Sequence, residues 1–239
     1  GSDGDAMAAW AKARALRHQS GDVAGEMEAL EGLGRATRRH LGEPSLASGY
    51  YREAAELAAA SGDGRAEGRL RNTIAILEWS RAEYAEALAE YERALAIFRV
   101  SGDDAGLGLI LNSLGATLRA LGRPHDARER LVEALAVHRR TGERRLEGHA
   151  LALLGEIALA LDEWSEAVSR AEDSLAIRRA TSDVRGEGWM LHLLARAHIA
   201  RDRPDRARES LALAERAGAA CSDVELLAEC EQLRRSSGL

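Results

Sequence analysis

The sequence predicts an all-α solenoid of about twelve helices, paired antiparallel and stacked side by side. Three observations lead there. First, a Gly-Asp pair or a close variant returns at Gly21-Asp22, Gly62-Asp63, Gly102-Asp103, Gly142-Glu143, Ser182-Asp183 and Ser222-Asp223, at spacings of 41 and then 40 four times. A fixed period in this range marks an architecture in which each unit packs only on its neighbours. Second, each period holds two apolar stripes of helical spacing separated by a turn signal. Third, apolar residues make up 46% of the 239 residues, aromatics only 4%, and there are three prolines. Ala and Leu therefore supply most of the burial, which suits helices packed at close approach.

Taken in order, residues 1–3 read as the remnant of an expression tag, without structure, and as a sign that the chain is a piece of something longer. Residues 4–19 carry Ala6, Trp10 and Ala13 where a second-helix pattern would place them one period early, so they form a half repeat. Five full repeats follow, at 21–61, 62–101, 102–141, 142–181 and 182–221. Residues 222–237 form a terminal helix, with Glu225, Glu229, Glu231 and Arg234–Arg235 giving it a polar outer face. Residues 4–237 thus read as a single array.

The third repeat shows the logic of every unit. Leu107, Leu111, Leu114 and Leu118 make one apolar stripe, and Leu121-Gly122-Arg123-Pro124 ends that helix. Gly supplies a left-handed cap, and Pro starts the next helix without continuing the last. Ala127, Leu131, Ala134 and Leu135 then make the second stripe, which Thr141-Gly142 stops. Small residues recur where the paired helices must touch: Gly34, Ala75, Gly115, Gly155 and Ala195 in first helices, and Ala47, Ala87, Ala127, Ala167 and Ala207 in second ones. Repeat one contains a one-residue insertion near Pro44. A helix-interior glycine costs about 1 kcal/mol relative to Ala, so its recurrence at one position argues for close backbone approach.

These residues resemble the tetratricopeptide-repeat pattern: a Leu-Gly pair in the first helix, then Ala, a large residue four further on, and another Ala. Here they are Leu114-Gly115, Ala127, Leu131 and Ala134; Ile74-Ala75, Ala87, Tyr91 and Ala94; and Leu194-Ala195, Ala207, Leu211 and Ala214. An aromatic precedes the second-helix Ala at Tyr84 and Trp164. The resemblance implies a right-handed superhelix whose first helices line an inner, concave wall. The 40-residue unit is longer than the family's usual 34 and is similar to arrays in bacterial multidomain signalling regulators. Repeat four departs from the pattern with Ala171 and Ser174, which predicts looser packing there.

Composition and motifs exclude several classes of function. The formal charge is −6, with both signs interspersed, so there is no basic stripe for nucleic acid. No apolar run approaches a membrane span, and a cytoplasmic location is expected. Cys221 and Cys230 lie nine apart on what reads as one helix, roughly 13 Å apart, too far for a disulfide. Phosphate loops, zinc patterns and nucleophile elbows are missing, so neither enzyme activity nor a cofactor is expected. His149 and His192, with Glu156, could make a three-ligand metal site, but two histidines on a polar face arise more readily by chance, and no metal is expected.

The exposed stripe of the first helices supplies the candidate site: Arg35, Arg38, Arg69, Asn72, Trp79, Asn112, Arg119, His149, Trp189, His192 and Arg196. Asn72 and Asn112 share one repeat position, where the resemblance implies an amide that clamps a peptide backbone. Around them Arg35, Arg38, Arg69 and Arg119 suit carboxylates, and Trp79 and Trp189 offer large contact areas. A non-catalytic module that binds a protein or peptide of acidic character in the groove is therefore expected, as the sensor or scaffold part of a larger bacterial regulator. Self-association through the ends or outer wall, and reception of a signalling peptide or small molecule, are the alternatives.

Overall fold

The computed structural model describes residues 2–239, so Gly1 of the expected tag remnant lies outside the described residues. Ser2 and Asp3 are the first residues of a helix. The helices are α1 (Ser2–Ser20), α2 (Val23–Ala36), α3 (Pro44–Ser61), α4 (Gly64–Ser80), α5 (Tyr84–Ser101), α6 (Asp104–Ala120), α7 (Pro124–Thr141), α8 (Arg144–Ala160), α9 (Trp164–Ala180), α10 (Val184–Ala200), α11 (Pro204–Cys221) and α12 (Val224–Ser237). No strand occurs among the described residues. The fold is all-α, built of antiparallel helix pairs as the period requires. The helices group into two compact units, Gly1–Leu121 and Gly122–Leu239.

The recurring pair is structural punctuation. Asp22, Asp63, Asp103, Asp183 and Asp223 each accept a hydrogen bond from the backbone N–H three residues on, which caps the following helix. The residue before each cap is left-handed. Gly102 has φ +68°, and Ser182 and Ser222 adopt the same region, at +54° and +56°, without glycine's freedom. Ser222 also corrects one sequence expectation. Cys221 ends α11 and Cys230 lies inside α12, so the two cysteines are on different helices; both are free thiols. The extra residue of repeat one is accommodated by a π-helical turn, Thr37–Leu41, the usual way a helix absorbs a single insertion.

The first unit packs α1 through α6. Its core includes Leu30, Ala47, Ala54, Leu70 and Ile74, with Tyr51 laid against Gly34. The second unit packs α7 through α12. Its core includes Ala167, Leu191, Leu194, Leu211 and Leu226. All five second-helix alanines of the repeat, Ala47 to Ala207, are fully inaccessible to solvent.

Repeat four is not loose. Ser174 is fully buried and donates to the Gly148 carbonyl at 2.8 Å, while Ala171 is equally buried. A Cβ at Gly155 would stand 3.6 Å from the Ala167 carbonyl oxygen and the Ala171 amide nitrogen. The smaller residues let α8 and α9 approach backbone to backbone, so proximity replaces the missing bulk.

Candidate functional site

In the first unit the candidate face is made by α2, α4 and α6, each started by its aspartate cap. Arg69 donates two hydrogen bonds to Glu31, at 2.9 and 2.8 Å, and Arg35 lies 3.6 Å from the same carboxylate. The Arg69 hydrogen bonds, opposed by partial burial, hold the Glu31 carboxyl below its ordinary range. Two of the four arginines expected to await an acidic ligand thus already share an internal one. Arg38 lies in the π-helical turn, exposed, and Arg119 is exposed near the end of α6. Glu31, 38 residues from Arg69, lies on the stripe the sequence defines but is not a residue that sequence reasoning would assign to the site.

Trp79 is 42% exposed and meets Tyr84 edge-on, with ring centroids 5.7 Å apart. Ile76 and Leu109, on the same stripe, are also exposed. Asn72 is half-buried, and its Oδ1 has no hydrogen-bond partner. Asn112 sits deeper than a surface stripe would place it, only 3% exposed. Asn72, Asn112, Ala152 and His192 occupy one repeat position, and three of the four are buried. The reason is that neighbouring first helices touch directly, α4 with α6, and in the other unit α8 with α10 and α10 with α12. That position faces the neighbouring helix, while the positions of Arg69 and Ile76 remain open.

In the second unit, α8 and α10 enclose a recess of about 390 Å³ lined by His149, Glu156, Arg178, Asp183, Trp189 and Met190. His149 is an exposed residue, yet burial of its imidazole among its neighbours, then the Arg178 and His138 charges, push its pKa down. His192 is buried, meets Trp189 edge-on with centroids 6.0 Å apart, and is pushed down by burial and then by Arg196, itself exposed. Both imidazoles are therefore neutral near pH 7. Trp189 is half-buried against the core and donates its indole N–H to Asp223. Among the described residues no three His, Cys, Asp or Glu side chains are grouped to hold a metal ion, and no helix is long and apolar enough to cross a membrane.

Stacked helix pairs with this period and these invariantly buried alanines belong to a known architecture. The tetratricopeptide-repeat family model matches residues 66–140 and again, one period later, 106–180. Residues 66–180 belong to the tetratricopeptide-repeat family, and the rest of the chain continues the same helix-pair architecture. No curated protein matches the chain. Among solved structures, it is similar to BtubC (BKLC) from P. vanneervenii, at 20% identity over 93% of both chains with a TM-score of 0.78. It is also similar to a signal transduction ATPase with numerous domains and a tetratricopeptide-repeat sensor from Pyrococcus horikoshii, at 17% identity and a TM-score of 0.69. That likeness covers 89% of this chain and 36% of the other. A third, YrrB, described as a TPR protein with an unusual peptide-binding site, is 17% identical over 85% of this chain and 91% of its own, with a TM-score of 0.59. At these identities the likeness is one of fold.

Proposed function

We propose that this tetratricopeptide-repeat array is a non-catalytic module that binds a protein or peptide segment on its first-helix face, as the cytoplasmic sensor or scaffold part of a larger bacterial regulator. The observation that carries the reading is the row of exposed apolar side chains on α4 and α6: Ile76 at 47%, Trp79 at 42% and Leu109 at 41%. They stand beside half-buried Asn72, at the positions that the neighbouring first helices leave open. Large apolar groups clustered on a surface mark a place that something covers. The sensor array of the ATPase and the peptide-binding site of YrrB, as those proteins are described, support the same reading. The apolar anchor comes first and the acidic one second, because Arg35 and Arg69 are engaged with Glu31.

The test is selection of a displayed random-peptide library on the folded chain. Enriched peptides lose affinity by about tenfold or more on Trp79→Ala and Ile76→Ser. Val132→Ser, which removes an exposed apolar residue from second helix α7, leaves them bound. Failure of any peptide to enrich, or equal loss with Val132→Ser, contradicts the proposal. Loss of self-association in place of peptide capture would favour a second copy of this chain as the occupant.

A further inference from the structure

A different cavity, on the opposite side of a first helix, lies outside that reading. In the second unit α9 and α11 flank a slot of about 490 Å³ whose floor is α10, within the size range of small-molecule sites. Leu175, Leu191, Leu194 and Leu213 line it with apolar surface. At one end stands His198, 5% exposed, whose Nδ1 lines up with no protein hydrogen-bond partner. Glu172 and Arg206 belong to that end, since both act electrostatically on His198.

The repeat shows why this slot is open. Glu172, His198 and Ser210 stand three periods after Arg52, Glu78 and Glu90. In the first unit those positions are closed by ions: Arg52 bonds Glu78, and Glu90 accepts from Arg71 at 3.1 Å and Arg93 at 2.6 Å. In repeat four the position of Ser210 holds Arg170, whose long side chain is tied to Glu166 at 2.8 Å. Replacing an arginine or glutamate by a buried serine removes the filler, and replacing Arg52 by Glu172 removes the cation that would pair with the floor.

We propose that the slot between α9 and α11 binds an uncharged amphiphile, its hydrogen-bonding head on His198 and its apolar body over the leucines. The charges argue for a neutral head. Arg179 is held by Glu187 at 2.7 Å, and the lining carboxylates Glu172 and Glu209 offset Arg179 and Arg206. Burial, then the charges of Arg206, Arg201 and Arg203, keep the imidazole neutral, so Nδ1 donates or accepts according to tautomer.

The probes are 1-octanol, octanoate and octylammonium, which share a tail and differ in head charge. On the full chain, 1-octanol shifts the His198 Cε1–H resonance saturably and binds more tightly than either ion. Ser210→Arg, the residue already accommodated at positions 130 and 170, abolishes binding with helicity unchanged. His198→Leu, the residue at position 118, keeps the apolar slot and weakens 1-octanol roughly two- to tenfold, the equivalent of one hydrogen bond. Absence of a saturable shift, undiminished binding to Ser210→Arg, or tighter binding of either ion overturns the proposal.

Discussion

Trp189 donates its indole N–H to the Asp223 carboxylate at 3.1 Å, across the step from α10 to α12. The same oxygen accepts from Arg185 at 2.8 Å, and the other oxygen caps α12 through the Leu226 N–H at 3.2 Å. One side chain thus starts the terminal helix and ties it to the preceding first helix. Asp223→Ala removes all three bonds at once. The expected outcome is faster amide hydrogen exchange in α12, by roughly five- to tenfold, with α2 to α6 unchanged. Unaltered α12 protection would show that apolar contacts at Leu226 and Cys230 hold the helix unaided.

Two glycines at one repeat position give opposite expectations. A Cβ on Gly34 would stand 2.8 Å from the Tyr51 ring, whereas one on Gly155 would meet its nearest neighbours at 3.6 Å, ordinary contact. Gly34→Ala is expected to destabilise by roughly 1–3 kcal/mol through overpacking. Gly155→Ala is expected to stabilise by up to about 1 kcal/mol through helix propensity. Urea unfolding of the two variants checks both signs, and a loss of stability in Gly155→Ala would mean that α8 and α9 cannot relax by even a few tenths of an ångström.

The contrast marks how far the sequence reads. Helix boundaries, caps and the buried alanines follow from local rules, namely glycine and proline punctuation and three-to-four spacing, so they were legible. Which of the two glycines is required was not, because the clearance depends on what stands across the pair, the Tyr51 ring for Gly34 and the α9 backbone at Ala167 and Ala171 for Gly155. For the same reason, Asn112 and His192 read as surface residues: the stripe gives their direction, but only the approach of the neighbouring first helix sets their depth. The pairing of Arg69 with Glu31 joins residues 38 apart and depends on where two long side chains meet. His198 carries no sequence signal, because its setting is defined by what Ser210 fails to fill.

The turn between α4 and α5 holds a non-glycine residue in the left-handed region, Ala82 at φ +61°, where the next repeat places Gly122 at +70°. An L-residue there costs about 1–2 kcal/mol, partly offset in glycine by its larger loss of chain entropy. Ala82→Gly is therefore expected to stabilise by about 0.5–1 kcal/mol, and Gly122→Ala to destabilise by a similar amount. Thermal denaturation followed by circular dichroism should show shifts of opposite sign, each of about 1–4 °C.

Two buried or half-buried glutamates make the stability depend on pH in opposite directions. Glu31 is held below its ordinary range chiefly by its hydrogen bonds to Arg69. Its contribution is present above the unfolded value, about 4.5, and is lost as pH falls through the lower folded value. Glu78 is almost fully buried, with Oε2 unpartnered, and burial raises its pKa despite the pairing with Arg52. Its contribution is fully present below the unfolded value and is lost as pH rises through the higher folded one. Arg69→Ala should therefore flatten the loss of stability below about pH 4.5, the ordinary glutamate value. Glu78→Gln should flatten a decline on the other side of that value and leave the acid limb intact. Denaturation midpoints measured from pH 3 to pH 8 separate the two, because a single electrostatic cause would move both limbs together.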